Sequence, residues 1–584
     1  MSSDDQQELD AFVRDSQIEQ RVGNMTSGTT TSWNYADVWE TIARAIPGNP
    51  AQICGERTYS WQEFNQRANA LSADLLSAGL GHQAKVAAYL WNGPEYLETY
   101  FAAFKAGLVP VNTNYRYGSE EIRYLFDNAD AEAVVFHASF APIIETVRAQ
   151  LPKVKRWYGV VDPAASGAEP SALPSWAFDY EAIVANDVAK GNAEAEGGNV
   201  VAPWGRSGDD LMFLYTGGTT GMPKGVMWRQ DDIFRVLGFG GNPIYGAEPV
   251  GSLEELADRL VAPTHRVPRQ LPACPLMHGT GQFSAFIALG LGGVVATLAT
   301  RTFSAEELFD AVVEHQLNSL VIVGDAFARP LLSALNANPN RWDLLSLHMI
   351  SSSGVMWSTE VKEGLLEHLP QVILFDSYGS SEAVGLGASV STKDNAEKTA
   401  KFALGPTVHV FTDENVRVQA GSDLTGFVAI SGFLPMGYYK DPEKTAKTFR
   451  TIEGTRYSVP GDYAQVLADG SLHLLGRGSV CINSGGEKIF PEEVEEVLKQ
   501  HDLIRDAVCV GLPDERFGEI ICALIELSGE QEPEEADVIE FVRERLARYK
   551  SPRTVLVIPT IGRSPAGKVD YKALTAHARA VSQR

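Results

Sequence analysis

The run Tyr215–Gly225 (YTGGTTGMPKG) is the densest concentration of phosphate-binding groups in the chain. It continues an apolar stretch, LMFLY, and holds four glycines, three threonines and one lysine in eleven residues. Accessible backbone N–H groups, hydroxyls and an ammonium group are what a polyphosphate needs, so the run predicts a flexible phosphate-binding loop. The Walker A pattern fails, because Lys224 lies between Pro223 and Gly225 and no hydroxyl follows it. A purely structural glycine turn is the remaining alternative, which the threonines and the lysine disfavour.

Several shorter motifs lie further along the chain, and each is weak by itself. They are SSGVM (Ser352–Met356), DSYGSSE (Asp376–Glu382) after the apolar VILF, Pro460-Gly461-Asp462 with Gly476-Arg477, RGSVCINSGGEKIFP (Arg477–Pro491) and RSPAGK (Arg563–Lys568). A Gly-Asp pair is a turn in most proteins, and a lysine near a C-terminus is ordinarily a solvated charge. They become informative because they follow a predicted phosphate-binding run in a fixed order.

Together these motifs closely resemble the signatures of the adenylate-forming superfamily of acyl-CoA synthetases, amino-acid adenylation domains and luciferases. The resemblance covers nearly the whole chain from about Tyr35. It implies an ATP-dependent, AMP-forming acyl-CoA ligase. In such an enzyme a carboxylic acid and ATP give acyl-AMP and pyrophosphate, and the acyl group then passes to coenzyme A. ATP, Mg²⁺ and coenzyme A as cosubstrate are therefore the expected small molecules.

The resemblance also assigns roles to individual residues. Lys568 is the catalytic cation of the first half-reaction, Glu382 is a hard oxygen ligand for Mg²⁺, and Thr216 belongs to the hydroxyls that meet the phosphates. Tyr378 offers a flat face for adenine, and Asp462 accepts hydrogen bonds from the ribose. The complete set assigned to nucleotide binding is Thr216, Gly217, Gly218, Thr219, Thr220, Lys224, Gly354, Asp376, Tyr378, Gly379, Ser381, Asp462, Arg477 and Lys568.

The chain departs from the usual family pattern at three places. Ser381 replaces a threonine and keeps its hydroxyl, and Gly354-Val355-Met356 replaces Gly-Ala-Pro in the loop that walls the other side of adenine. Ser479 replaces the usual Asp or Lys of the hinge, so the energetics of domain rotation do not carry over. Beyond it, Gly485 and Gly486 are assigned to coenzyme A, because they let the pantetheine arm pass close to the backbone.

His278, in CPLMHGTG, lies where acyl-CoA synthetases often have a histidine beside the acyl pocket. A hydrogen-bonded core histidine is the open alternative. No aspartate stands nearby to hold a substrate ammonium, which argues against an amino acid, and the small and apolar residues of 279–293 suit a roomy hydrophobic pocket. The runs MWRQDD, SSGVMW and GSVCINSGGEKIFPEEVE also resemble a bacterial subgroup that includes steroid side-chain acyl-CoA synthetases. The expected acid is therefore a medium- or long-chain fatty acid or a bulky, steroid-like acid.

Four other functions are weighed against this one. An enzyme that loads a carrier protein instead of coenzyme A is the main alternative, and release of adenylate without coenzyme A would identify it. A luciferase-type oxygenase would consume oxygen and emit light. A non-catalytic binding module would have little reason to keep Lys568, Glu382 and Asp462 together, and a P-loop ATPase would yield ADP.

The elements that must position these residues alternate between strands and helices. VAAYLW, LVPVN and AEAVVF predict strands, and 95–106 predicts a helix, which together indicate α/β layers with mostly parallel sheets. After residue 478 the pattern becomes a compact α+β unit that begins with the helix PEEVEEVLKQ. The expected organisation is a polar extension over 1–34, a large N-terminal α/β adenylation domain over 35–478 and a small, mobile C-terminal α+β domain over 479–584, joined by a hinge.

Composition excludes several partners. The formal charge of −25 repels nucleic acid and anionic lipid, so no nucleic acid is expected. The uncharged stretch 282–300 has the length of a membrane span, but its glycines and β-branched second half indicate a buried helix, a turn and a buried strand. The polar N-terminus lacks the features of a secretory signal, and the five cysteines have no metal-ligand spacing. A cytoplasmic protein without a transmembrane segment is expected, and a homodimer is left open.

Overall fold

The computed structural model describes residues 32–161, 173–185, 198–218, 221–242, 245–355, 357–394, 401–484, 487–514, 517–564 and 569–582. The predicted extension 1–34 therefore lies almost entirely outside the described residues. Its last part is packed: Trp33 is buried, and Asn34 caps the first helix by accepting a hydrogen bond from the backbone N–H of Asp37.

Strands and helices are numbered here in chain order. The strands up to residue 300 are β1 (Pro50–Cys54), β2 (Arg57–Ser60), β3 (Lys85–Tyr89), β4 (Val109–Asn112), β5 (Ala131–His137), β6 (Arg156–Val160), β7 (Phe178–Asp179), β8 (Leu211–Gly218), β9 (Gly221–Arg229), β10 (Arg269–Pro272) and β11 (Val294–Thr297). Those up to residue 478 are β12 (Ser319–Ile322), β13 (Met349–Ser353), β14 (Ile373–Ser380), β15 (Ala383–Ser391), β16 (Lys401–Leu404), β17 (Val408–Phe411), β18 (Gly426–Ile430), β19 (Gly437–Tyr438), β20 (Phe449–Ile452), β21 (Thr455–Ser458), β22 (Asp462–Val466) and β23 (Leu472–Arg477). The remaining strands are β24 (Ile482–Ser484), β25 (Glu487–Ile489), β26 (Ile504–Asp514), β27 (Gly518–Leu527) and β28 (Thr554–Val557).

The α-helices are α1 (Tyr35–Ala45), α2 (Trp61–Ser77), α3 (Pro94–Lys105), α4 (Ser119–Asn128), α5 (Ala141–Val147), α6 (Tyr180–Val184), α7 (Gln230–Val236), α8 (Leu253–Leu260), α9 (Gly279–Gly290), α10 (Ala305–His315), α11 (Gly324–Ala337), α12 (Thr359–His368), α13 (Pro442–Thr448), α14 (Pro491–Leu498), α15 (Glu535–Arg543) and α16 (Tyr571–Ser582).

The first sheet has eight strands in the order β19-β9-β8-β4-β3-β5-β6-β7. Strands β3 to β6 run parallel, β8 joins them parallel to β4, and β9 returns antiparallel to β8. The predicted strands VAAYLW, LVPVN and AEAVVF are confirmed as β3, β4 and β5, and the predicted helix over 95–106 is α3.

The second sheet has fifteen strands, and its strand pairing changes from parallel to antiparallel about half-way across. From β1 through β11, β10, β12 and β13 to β14 the neighbours are parallel, and from β15 through β16, β23 and β22 to β18 they are antiparallel. The prediction of mostly parallel sheets is therefore wrong for residues 383–477. Short connections, such as Glu453-Gly454 between β20 and β21, join antiparallel neighbours, whereas parallel strands need long crossovers.

The uncharged stretch 282–300 lies inside the large core. It forms α9 from Gln282 onward, a turn in which Gly292 has a φ of +72°, and β11. The Phe286 ring of α9 contacts Trp39 of α1 at 5.4 Å and Tyr35 at 4.9 Å between ring centroids. The predicted buried helix, glycine turn and buried strand are confirmed, and no helix in the described ranges is both long and apolar enough to cross a bilayer.

The small C-terminal unit has a sheet of five strands, in which β25-β24-β27-β26 are neighbours and β28 pairs with β27. Helix α14 begins at Pro491 and carries glutamates in its first turn, as the sequence indicated. The unit also contains α15, which ends at Arg543, and α16, which was not predicted. The boundary between residues 478 and 479 stays a prediction.

Candidate active site

One cavity of about 880 Å³ brings most of the sequence motifs together. It lies where the parallel strands β12, β13 and β14 end, the edge at which open α/β sheets commonly bind ligands. Predicted site residues on its wall are Thr216, Lys224, His278, Gly354, Gly379, Ser381 and Glu382. Residues of the small unit, among them Cys481 and Phe490, also line it.

Asp462 and Arg477 are neighbours across two strands beside this cavity. They face each other in the antiparallel pair β22–β23, and Pro460 and Gly461, just before Asp462, line the cavity. Several predicted residues cannot be placed. Thr219, Thr220, Gly485, Gly486 and Lys568 lie outside the described residues, and for Gly217, Gly218 and Arg477 the backbone alone is described. Their assigned roles stay predictions.

The run predicted to bind phosphate forms two paired antiparallel strands on either side of Thr219 and Thr220, whereas the sequence indicated a flexible loop. Thr216 pairs with Lys224 across strands β8 and β9, and the register shifts between Thr216 and Gly218. Tyr215 pairs with Gly225, where an added Cβ would lie 2.7 Å from the Tyr215 ring. Glycine at 225 is thus required by the close approach of this ring, and the hairpin presents Thr216 and Lys224 side by side.

Lys224 forms an ion pair at the edge of the cavity. Its Nζ donates to Asp441 Oδ2 at 2.5 Å. This hydrogen bond, together with one from the backbone N–H of Lys444, lowers the pKa of Asp441. Asp441 also caps α13, so the Lys224 ammonium is tied to a fixed helix end.

The turn that carries Glu382 is held by three side chains from other motifs. The Tyr438 hydroxyl donates to Glu382 Oε1 at 2.7 Å, Trp228 Nε1 donates to the Ser381 carbonyl at 3.1 Å, and Ser458 Oγ donates to the Glu382 carbonyl at 2.7 Å. Sequence reasoning missed all three roles. Trp228 stood in a run already noted, MWRQDD, but nothing in the sequence signals the contact of Tyr438 or Ser458.

Tyr378 and Asp376 point away from the cavity. Side chains alternate along β14, so Ser377 and Gly379 line the cavity while Tyr378 packs against Phe402 at 5.4 Å between centroids. The Tyr378 hydroxyl donates to Asp462 Oδ2 at 3.0 Å. The open aromatic face predicted for adenine is therefore not found in this arrangement.

Asp376 is equally enclosed. Its Oδ2 accepts a hydrogen bond from Lys362 Nζ at 3.1 Å, and both side chains are buried. Burial raises the pKa of Asp376, and the Lys362 charge opposes this rise without cancelling it. The assignment of Asp376 to nucleotide binding stays a prediction, and its side chain argues against a direct contact in this arrangement.

The donor set at Glu382 fits Mg²⁺. In the described ranges no group of three or more His, Cys, Asp and Glu side chains forms a metal cluster. Mg²⁺ is commonly held by one or two carboxylates together with substrate phosphates, so one cavity carboxylate is a sufficient protein ligand. Glu382 shares the cavity wall with the Thr216–Lys224 pair, where phosphates would complete the coordination.

One side of the cavity has a largely apolar wall. Helix α9 starts directly after His278 and presents Thr280, Phe283, Ser284 and Ile287 to the cavity. Apolar lining residues outside α9 include Leu214, Leu237, Val321 and Val323. His278 lies on the wall, partly exposed, and its carbonyl accepts the first helical hydrogen bond, from the backbone N–H of Gln282. A roomy hydrophobic pocket with one polar end agrees with this lining.

Comparisons with known proteins identify the family. Residues 39–439 match the family described as AMP-binding enzyme, and residues 493–568 match the AMP-binding enzyme C-terminal domain. The chain is 40% identical over 540 residues, 92% of its length and 95% of the relative's, to the medium/long-chain-fatty-acid–CoA/3-oxocholest-4-en-26-oate–CoA ligase of Mycobacterium tuberculosis. It is 37% identical to the medium-chain acyl-CoA ligase Mig of Mycobacterium avium, covering 94% of this chain and 98% of Mig. It is 39% identical to the 3-oxocholest-4-en-26-oate–CoA ligase of Rhodococcus rhodochrous, covering 92% and 95%.

Solved structures agree at the level of the fold. The anthranilate CoA ligase AuaEII in complex with anthranoyl-AMP has a TM-score of 0.77 at 19% identity and covers 95% of this chain and 98% of its own. ATP-bound MatB from Rhodopseudomonas palustris has a TM-score of 0.73 at 21% identity and covers 94% and 100%. With the family models spanning both units and the relatives nearly the whole length, the chain belongs to the adenylate-forming AMP-binding enzyme family, in its acyl-CoA synthetase branch.

Proposed function

We propose that the chain is an AMP-forming acyl-CoA ligase for a medium- or long-chain fatty acid or a bulky, steroid-like acid. The observation that carries this proposal is one cavity in which the Thr216–Lys224 hairpin and Glu382 meet an apolar wall that begins at His278. The first set of groups suits a metal-bound polyphosphate, and the second suits an acyl chain. The names of the relatives in Mycobacterium and Rhodococcus support the same acids.

Attack of a carboxylate on the α-phosphate of ATP brings two anions together, so the site must offset their repulsion. Bound Mg²⁺ would neutralise phosphate charge and would be held by Glu382. The hydroxyls of Thr216, Thr219 and Thr220 would donate hydrogen bonds to the phosphates, and the Lys568 ammonium would stabilise the charge that moves onto the leaving pyrophosphate. Positioning and charge suffice for this step, and no side chain acts as a nucleophile.

For the second step, coenzyme A would approach along Gly485 and Gly486, and its thiol would attack the acyl carbon with release of AMP. Support comes from residues on both sides of these glycines. Cys481 and Phe490 line the cavity, and the Phe490 ring lies 5.7 Å from that of Tyr463 on β22. The strands on either side of the two glycines, β24 and β25, pair with each other, and their outer ends lie at the cavity. Rotation of the small unit about the hinge at Ser479 would replace the face that carries the two glycines by the face that carries Lys568.

The test is an assay that separates AMP from ADP, with and without coenzyme A, over acetate, octanoate, palmitate, benzoate and a cholestenoate. We expect AMP, pyrophosphate and a coenzyme A-dependent thioester with octanoate, palmitate or the cholestenoate, and loss of adenylate formation in Lys568→Ala. Adenylate released at full rate without coenzyme A, and no thioester, would support the carrier-protein alternative instead. ADP as product would overturn the reaction class.

We also propose a cytoplasmic location. It is supported by the five cysteines, all of which are free thiols in the structure, as in a reducing compartment. Cell fractionation tests the location. Light scattering of the purified protein decides between a monomer and a homodimer.

A further inference from the structure

Asn112, the last residue of β4, joins two separate segments of the chain through its side-chain amide. Its Oδ1 accepts a hydrogen bond from the backbone N–H of Tyr215 at 2.5 Å, and its Nδ2 donates to the carbonyls of Tyr215 at 2.8 Å and of Met277 at 2.7 Å. Both N–H donors and the oxygen of the amide are therefore used. The residue is almost fully buried, with 2% of its surface exposed.

The two joined segments carry two walls of the cavity. Tyr215 directly precedes Thr216, whose hydroxyl is assigned to the phosphates. Met277 directly precedes His278, the first residue of the wall proposed to bind the acid. Asn112 itself is not on the wall. One buried amide thus links the backbone beneath the phosphate site to the backbone beneath the acid site.

The distance between these two walls matters for adenylate formation. The acid carboxylate must meet the α-phosphate in a near-attack geometry, and a misplacement of about 1 Å can cost about 100-fold in rate. We propose that Asn112 is a positioning residue that fixes the spacing between the phosphate-binding hairpin and the acid-binding wall during adenylate formation. This proposal rests on the proposed function, because it assumes that both ligands occupy this cavity.

Asn92 offers a matched comparison. It follows β3, the strand beside β4. Its side-chain amide also forms hydrogen bonds with the segment before His278. Its oxygen accepts from the backbone N–H of Leu276 at 2.8 Å, and its nitrogen donates to the Cys274 carbonyl at 3.0 Å. These bonds reach the loop before His278 but not Tyr215 of β8. Loss of Asn92 therefore loosens the loop without breaking the link between the two walls.

The experiment compares N112A with N92A in two half-reactions of the full-length enzyme. Adenylate formation is followed by exchange of labelled pyrophosphate into ATP, with palmitate as the acid. Thioester formation is followed from pre-formed palmitoyl-AMP and coenzyme A, where the acid and the phosphate are already joined. We expect N112A to lower the kcat of pyrophosphate exchange about 10- to 100-fold. The rate of thioester formation should fall by less than about threefold. N92A should lower the exchange less than about fivefold, at a similar melting temperature.

Equal losses in both half-reactions of N112A, or an exchange rate no lower than that of N92A, would show a merely structural asparagine and overturn the proposal. If N112A does not fold, N112D carries the same expectation, because it keeps the side-chain volume and the acceptor for Tyr215 but lacks the donors. Absence of exchange in the wild-type enzyme would instead overturn the proposed function, so the two failures are distinguishable.

Discussion

The Glu382 carboxylate occupies a position that side chains from distant parts of the chain define. Tyr438 holds one carboxylate oxygen, and Trp228 and Ser458 hold the carbonyls of Ser381 and Glu382. The turn is therefore held by the protein's own side chains, and a charge placed in a preorganised site costs little reorganisation during reaction. Charge and position can be tested separately at this residue.

Replacing Glu382 by Gln is expected to lower adenylate formation about 100- to 1000-fold. The amide keeps the shape and can still accept from Tyr438, but it removes the negative charge that would hold Mg²⁺. Pyrophosphate exchange measured against Mg²⁺ concentration should show a rise in the Mg²⁺ requirement. Tyr438→Phe, which keeps the charge and loses the hydrogen bond, should cost less than about tenfold. Equal effects of the two variants would contradict a metal role for Glu382.

Asp506 provides a pH-dependent contribution to stability in the small unit. Arg563 donates to it through Nε at 2.6 Å and Nη2 at 2.9 Å. Burial by itself would raise the pKa of Asp506, but the hydrogen bonds and the charge of Arg563 outweigh it and hold the pKa below its usual value. The unfolded chain therefore takes up the proton first as pH falls, so this stabilisation is present above about pH 4 and is lost below it.

Asp506→Asn should lower the free energy of unfolding at pH 7 by about 1.5–3 kcal/mol, the range for hydrogen bonds to charged groups. The difference from the wild type should shrink as pH falls from about 4 towards 2. Urea unfolding at several pH values measures it. Exposed Asp502, which makes no ion pair in the described part of the small unit, gives the control Asp502→Asn. A difference that stays constant with pH would contradict the linkage.

At the scale of elements, the β8–β9 hairpin shows what the sequence can and cannot predict. Residue types alone predict a phosphate-binding function for 215–225, because hydroxyls, glycines and a lysine are local signals. The strand LMFLY was predicted, but its continuation over 216–218 and strand β9 were missed, since the pairing of Tyr215 with Gly225 depends on cross-strand packing that no local pattern reveals. For the same reason Asp441, the partner of Lys224 from 217 residues further along the chain, could not be anticipated.

Gly225→Ala is expected to destabilise this hairpin by about 1–3 kcal/mol, through overpacking. The new methyl would meet the Tyr215 ring at 2.7 Å, and the ring cannot swing aside freely because its hydroxyl donates to Asn128 at 2.6 Å. A thermal melt and the KM for ATP would report the loss. Gly48→Ala, where nothing lies within 4 Å of the added methyl, should be nearly neutral. The double variant Tyr215→Ala/Gly225→Ala should show less than the sum of the two losses, and additive losses would contradict the clash.

At the scale of the whole molecule, the large and small units meet beside the cavity. Strand β23 is the last strand of the second sheet in chain order, and it packs against α14, the first helix of the small unit. The contact is close at Gly476, where φ is +124° and an added Cβ would lie 2.1 Å from Glu492 Oε2. Because Cys481 and Phe490 line the cavity in this arrangement, we expect it to be the one that serves coenzyme A.

Gly476→Ala tests that expectation. In this arrangement the new methyl would displace Glu492 of α14, whereas a φ of +124° strains the backbone of β23 in either arrangement, at a cost of about 1–3 kcal/mol. If this arrangement serves the second step, the clash with Glu492 should lower thioester formation from acyl-AMP about tenfold or more and leave pyrophosphate exchange within about threefold. Gly454→Ala imposes a similar strain, with φ at +82°, in the β20–β21 turn away from this contact, and it should leave the ratio of the two half-reactions unchanged. A loss confined to pyrophosphate exchange would assign this arrangement to adenylate formation instead, because the strained contact would then belong to the first half-reaction.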